Sequence, residues 1–397
     1  VAYKKPFEET VTPSNLLAIE RAREVTRTDD LRVYPITQRD ILLAGAELRK
    51  EAEQAAMDFA ALETLKYQGG KWGGKYLRAP DIFFTILEKG KGRLVRLGDI
   101  AEVRRGFTTG ANEFFYLEPT GEPAPEGLVH VRNGAGWEGY LEAEFLKAVI
   151  KSPREIKTIL VRPEDLPCRV FMCHKSEDQL LRESKGYALD YIDMGEYLGH
   201  HERPPCRARP IWWDLGIRQI PNVVWVKSIH DSHRQAFVSF PALVDQRLYE
   251  IHHADAKVLT SILNSFSSFL AKELHGRVNL GEGALDTAVY EANQLPVLPS
   301  SAFTSTQRQR LFAAFEQMAN REIKSIFEEL GLPKPNRDYS NIDPNEVSLD
   351  KVLPDRRALD EVVFEALGLM EEEQLEVYRA VVELVKTRLS RARSVRR

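Results

Sequence analysis

Cysteine is scarce in this chain. Three in 397 residues make an odd, sparse set, which excludes a disulfide framework as the source of its stability. Long apolar runs are missing as well: none approaches the roughly 18 residues that span a bilayer, and the opening VAYKKPFEET carries no signal-peptide pattern. The expectation is a protein of the cytoplasm with no membrane partner. An excess of one charge is also absent. The net charge is −4, so any surface for a polyanion must come from segregation of charge. Opening on Val1 rather than Met, the sequence reads as a fragment or a processed product.

Segregation of charge is visible. Residues 89–105 hold six bases (Lys89, Lys91, Arg93, Arg96, Arg104, Arg105) against Asp99 and Glu102. Residues 203–234 hold six more (Arg203, Arg207, Arg209, Arg218, Lys227, Arg234) against Asp214 and Asp231. A charge run of this kind also suits a plain solvated face. Between an apolar, β-branched start and an aromatic run, residues 94–117 (LVRLGDIAEVRRGFTTGANEFFYL) place a polar loop bounded by Gly106 and Gly110. Glycine lets the backbone take left-handed angles and approach a partner closely. Arg104, Arg105, Thr108, Thr109 and Asn112 supply hydrogen-bonding groups suited to a phosphate or a base edge.

These residues, with KWGGKYLRAPDIFFTIL before them (71–87) and HGRVNLGEGALDTAVYEANQLPVLP after them (275–299), resemble the target-recognition region of adenine-specific DNA methyltransferases of restriction-modification systems. The likeness is to the fused type II kind and, more distantly, to type I specificity subunits. It implies an α+β fold in three parts: 1–78, the exit of a methyltransferase domain plus a helical linker; 79–300, a mixed β/α DNA target-recognition domain; and 301–397, a helical region. It further implies double-stranded DNA, a methyltransferase domain or subunit, and in some arrangements a nuclease domain or subunit as partners. The DNA-facing side would carry three segments. They are the loop 104–112, the basic tip 227–234 with Lys227, His230, His233 and Arg234, and the loop 277–283 with Arg277 and Asn279. Asn112 and Asn279 are equally good turn formers, and Gly281 and Gly283 suit backbone geometry before contact.

Taken in order, the chain predicts a strand at VAYKKPF, a helix over 14–24 capped by Ser14, and the clearest helix over 47–67, rich in Ala and Glu. Trp72 and Tyr76 read as linker packing before base stacking, and a further helix is expected from Pro80. The spacing predicts a loop at 119–127, a helix then a strand over 141–161, a strand in CRVFMCH (168–174), and a helix over 180–198. The segment 223–240 predicts a hairpin with a basic tip. One apolar-striped helix is expected over 255–275, a long helix over 305–330, and two helices near 357–367 and 371–389, with Arg388, Arg391, Arg393, Arg396 and Arg397 as a basic end.

Catalytic signatures are missing. An adenine methyltransferase needs an Asn/Asp-Pro-Pro-Tyr/Phe loop that holds a flipped base. Pro204-Pro205, the one Pro-Pro pair here, is flanked by Arg203 and Cys206 and does not fit. Neither Gly73-Gly74 nor Gly281–Gly283 follows a strand in a nucleotide-binding unit. S-adenosylmethionine is therefore expected on an associated or upstream domain, with no cofactor in this chain. Glu155-Ile156-Lys157 and Glu322-Ile323-Lys324, the second expected on a helix, match a nuclease triplet no better than chance. Cys168, Cys173, His174 and Cys206 read as structural thiols before a zinc site.

Three readings follow, one of them that the chain is a piece of a methyltransferase whose catalytic part has been removed; the other two concern this chain's own role. The first is a non-catalytic DNA specificity region that brings Arg104, Lys227 and Arg277 onto one concave surface. The second is a protein-interaction module with a degenerate recognition fold, in which the apolar stripes Leu359, Val362, Val363, Leu367 and Leu375, Tyr378, Val382, Val385, Leu389 would serve as docking faces, although either stripe suits an internal helical pair as well.

Overall fold

The computed structural model describes residues 1–46, 73–278 and 283–394 of the chain. The helix expected over 47–67, Trp72 and Asn279 lie outside these residues. The fold is α+β, as expected, and no described helix is long and apolar enough to cross a membrane.

The amino-terminal segment is a small three-stranded ladder with the short helices Phe7–Thr10, Pro13–Arg21 and Gln38–Ala44, the second capped by Thr12 rather than Ser14. It is anchored by Arg32, which is buried, donates to Asp81 Oδ1 at 2.7 Å and to the Ala79 carbonyl at 2.6 Å, and lies over the Phe84 ring. Tyr76 packs against Tyr34 at 4.7 Å, which supports the packing reading of that ring. Helix α1 (Asp81–Lys89) begins one residue after Pro80, and buries Ile82, Phe83, Phe84 and Ile86.

In the central region the strands are β1 (Glu102–Arg105), β2 (Tyr116–Pro119), β3 (Leu128–Asn133), β4 (Glu138–Glu142), β5 (Leu146–Ile150), β6 (Leu160–Val161) and β7 (Arg169–Phe171). After helix α2 (Gly186–Tyr197) come β8 (Val223–Trp225), β9 (Ser228–Ile229), β10 (Gln235–Val238), β11 (Leu243–Val244) and β12 (Tyr249–His252). Two sheets result, in the orders β6-β10-β8-β12-β1 and β11-β5-β7-β2-β3-β4, mostly antiparallel. The helix expected from residue 141 is instead β4, a short 3₁₀ turn and β5. Leu141, Phe145 and Val149 are all buried and spaced by four, so the strands with their intervening turn imitate a helical stripe. The helix expected over 180–198 is broken at Ser184, which takes φ of 57°. The hairpin of β8 and β10 is as expected, with Val223 opposite Phe237.

Helices α3 (Ala256–Leu263) and α4 (Phe266–His275) replace the single helix expected over 255–275. The break falls where Asn264 bonds to both backbone groups of Gln235 and Ser265 caps α4. A short ladder follows, β13 (Arg277–Val278) and β14 (Leu285–Asp286), with β14 between β13 and β9. Arg277 therefore stands on a strand, not in the loop where it was expected. Helices α5 (Ser305–Ala319), α6 (Pro354–Leu367) and α7 (Glu371–Ser394) complete the chain. The long helix expected over 305–330 stops at Ala319, and Glu322-Ile323-Lys324 lies in the irregular link beyond it.

One hydrophobic core runs from Ala79 through β1, β8, β12, α3 and α4 to Leu389 of α7. The two apolar stripes expected as docking faces lie inside it. Leu359, Val362, Val363, Leu367, Tyr378, Val382, Val385 and Leu389 are buried against this chain's own helices, and Leu375 packs at their edge. Each such Val or Leu contributes roughly 1.5–3 kcal/mol through burial, so these faces are spent on the fold. That removes the ground for reading them as partner surfaces. A second core fills the six-stranded sheet, with Phe114, Phe171 and Tyr191 at its centre.

Candidate nucleic-acid interface

The expected recognition residues are brought together in part, and the residue at their centre is Gln246. Strand β1 is the edge of the five-stranded sheet and pairs with β12, Arg105 opposite Tyr249 and Arg104 opposite Glu250. After Arg105 the chain turns at Gly106, whose amide bonds to the Leu248 carbonyl, and Phe107 bridges in parallel to Asp245. A Cβ on Gly106 would collide with the carbonyls of Val244 and Asp245. The glycine is therefore required by a close approach within the chain itself. This crossing sets Gln246 beside the loop: its Oε1 accepts from Arg105 Nη2 at 2.9 Å and from Thr108 Oγ1 at 3.0 Å, and its carbonyl accepts from Lys227 Nζ at 3.3 Å.

Lys227 also lies over the Tyr249 ring, 5.8 Å from its centroid. Burial and the charge of Arg105 pull the Lys227 pKa down, while Asp286 and Asp245 pull the other way. Arg277 joins the same face through the ladder. It stands opposite Asp286 in register, and Asp286 stands opposite Ser228, the residue after Lys227. Burial raises the Tyr249 pKa, and its hydroxyl feels Arg105, Glu291, Arg277 and Asp286 together. Arg277 is half exposed and pairs with the buried Glu291 at 3.1 Å, beside the Tyr290 ring. Arg105, Thr108, Lys227 and Arg277 thus form one face, with Asp286 and Glu291 offsetting part of its charge.

The other expected residues go elsewhere. Arg104 points to the opposite side of the edge strand from Arg105, where it pairs with Glu102, so the single surface expected for Arg104, Lys227 and Arg277 does not form. Alternation along a strand puts neighbouring side chains on opposite faces, and the sequence reading had both arginines in a loop. Thr109 is buried and donates to Asn112 Oδ1 at 2.5 Å, while its carbonyl takes the Arg209 guanidinium at 2.7 Å. Asn112 opens a four-residue helix at an exposed position. His230 is exposed beside Asp231.

His233 is 1% exposed and bonds to Glu273 at 2.9 Å; burial drives its pKa down to about 4. Arg234 is turned inward, donating to the carbonyls of Ile156 and Pro153. The basic tip is therefore mostly internal clamping. Arg388, expected as part of a basic end, is likewise buried.

The other chemistries weighed from sequence gain no support. Glu155 caps the amides of Lys151 and Ser152, and the Lys157 carbonyl accepts from Ile323. Burial raises the pKa of all three cysteines, to about 11 for Cys173, which makes them poor ligands and nucleophiles. Among the described residues the group spaced to share a metal ion is instead Glu122 of the β2–β3 loop with His130 of β3 and Glu138 of β4, where His130 Nδ1 is already engaged by Thr120. Arg203 pairs with Glu113 and Cys206 is buried beside Gly110, and Pro204-Pro205 opens the short helix Pro204–Arg207. Gly74 packs against the Leu274 carbonyl and Gly283 against Ala392.

Residues 69–330 match the family described as the C-terminal domain of the type II methyltransferase M.Eco57I. The chain belongs to this family. The matched span takes in every member of the Gln246 cluster, and makes the chain the C-terminal region of a restriction-modification methyltransferase. No curated protein matches the chain significantly. Among solved structures, one that is similar is the type IIG restriction endonuclease BpuSI, with a TM-score of 0.47 and 11% identity over 87% of this chain. The chain spans 35% of that enzyme's length.

Gln246, Tyr249, Asp286 and Glu291 are the members of the face that sequence reasoning missed. For Gln246 the faint signal is a polar triplet, Asp245-Gln246-Arg247, set between Val244 and Leu248.

Proposed function

We propose that this C-terminal region reads double-stranded DNA for an adenine-specific methyltransferase, using the face centred on Gln246. The observation that carries the reading is the convergence of Arg105, Thr108 and Lys227 on one glutamine, with Arg277 beside them, inside the family's matched span. Arginine and lysine suit phosphates and guanine edges, and glutamine suits adenine when its amide is freed from intramolecular bonds. The Oε1 bonds to Arg105 and Thr108 hold Gln246 in place until DNA competes for these groups.

The methyl transfer itself belongs to a methyltransferase domain or subunit outside this chain, which would hold S-adenosylmethionine. A nuclease domain or subunit is the further expected partner, and the cytoplasm the expected compartment. The role of this region is to bind and orient the duplex for base flipping. The test is duplex binding by the full-length protein and its Lys227→Ala/Arg277→Ala variant. Loss of site-selective binding in the variant, with thermal stability kept, supports the reading. Equal binding by both overturns it.

A further inference from the structure

The Gln246 face is assembled from distant segments, and the ladder beside Lys227 and Arg277 is built of very short strands. Strands β9, β13 and β14 are two residues each. An isolated ladder of that size is marginal in water, so contacts with the rest of the chain must fix its position. Ile229 and Leu285 do so through a small apolar cluster with Val224, Val226 and Ala236, and four buried polar side chains add directional bonds. Lys272 of α4 donates to the Val226 carbonyl at 2.7 Å, one residue before Lys227. Glu273, also on α4, takes His233 at 2.9 Å. Arg388, 5% exposed, comes from α7, more than fifty residues past the end of the family's matched span.

All three of its guanidinium nitrogens donate. Nε and Nη2 grip both oxygens of Glu273 at 3.0 and 2.8 Å, Nη2 also donates to the His230 carbonyl at 2.7 Å, and Nη1 donates to the Gly283 carbonyl. His230 follows β9 and Gly283 precedes β14, so one side chain ties both connections of the ladder to α4. Gly283, at φ of 70°, lies against Ala392 and Leu389 of the same helix.

We infer that Arg388 is the positioning residue of the recognition face: through it the carboxy-terminal helix sets where Lys227 and Arg277 stand relative to Arg105 and Gln246. The inference rests on the proposed DNA-reading role for its functional consequence, and on the hydrogen bonds alone for its structural part. Lysine cannot replace this arginine, because the planar fork alone reaches two carbonyls and two carboxylate oxygens at once.

The test uses the full-length protein with Arg388→Lys, which keeps the charge and removes the planar fork, and with a second variant, Glu273→Gln/Arg388→Gln, which removes both charges so that neither is left buried without the other. Amide exchange is followed by mass spectrometry in peptides covering 226–231 and 283–287, with 256–263 of α3 as internal control. Exchange in the ladder about tenfold faster, with α3 unchanged, is the expected result. The slope of log affinity for duplex DNA against log salt should fall by about 1.8, as it does when two phosphate contacts are lost. An unchanged ladder in both variants overturns the positioning role, as does a loosened ladder with an unchanged salt slope. If the wild-type protein shows no salt-dependent duplex binding, the DNA reading fails, and the exchange data still decide whether Arg388 holds the ladder.

Discussion

Arg104 and Glu250 stand opposite each other across the β1–β12 pair, yet Arg104 bonds to Glu102 on its own strand and one Glu250 oxygen has no hydrogen-bond partner. Burial holds the Glu250 pKa up at about 7, against the pull of Arg218 and Arg104. The carboxyl therefore stays protonated in the fold over a range where the unfolded chain, near 4.5, has ionised. The destabilisation is absent below pH 4.5, grows through the window and is complete above 7. Glu250→Gln should raise stability at pH 8 by about 1–3 kcal/mol and leave it unchanged at pH 4. Denaturant midpoints at the two pH values check this, and an equal effect at both contradicts it.

Glu329 behaves in the opposite sense. It is buried, accepts from Arg321 at 2.6 Å and Arg356 at 3.1 Å, and its pKa lies at about 2 despite the cost of burial. Its contribution is present above pH 4.5 and lost as pH falls toward 2. Glu329→Ala leaves Arg356, 0% exposed, without its carboxylate, and should cost about 3–5 kcal/mol at pH 7. Urea unfolding at pH 7 measures it; a cost under about 1 kcal/mol would mean that water or Asp360 compensates.

Gly106→Ala tests the crossing that places Gln246. The new methyl group meets two backbone carbonyls that have no rotamer to yield. A loss of about 1–3 kcal/mol is expected, with weaker duplex binding. Calorimetry of the variant decides it, and a neutral substitution would show that the 244–248 segment can move away from the loop.

How much of this was legible in the sequence depends on the range of the interaction. The β8–β10 hairpin was readable because Val223–Trp225 and Gln235–Val238 flank a polar connection, a local pattern. Residues 141–149 were misread because buried positions four apart fit a helix as well as two strands joined by a turn. The break at Asn264 was invisible, since its amide serves Gln235, 29 residues away. Gln246 was invisible for the same reason: its partner Thr108 lies 138 residues earlier. His233 looked like part of a basic surface because nothing local announces Glu273. Composition identifies the groups able to touch DNA, and only tertiary pairing decides which of them are already engaged.

The most direct test of the central claim is site-specific photocrosslinking of the full-length protein to duplex DNA, with a benzophenone side chain placed at Thr108, at Ser228 beside Lys227, or at the exposed Glu118 on β2, an inner strand of the other sheet. Crosslinks from positions 108 and 228 and none from 118 are the predicted result. Crosslinks from 118 alone, or from none of the three while the protein still binds DNA, would contradict the account.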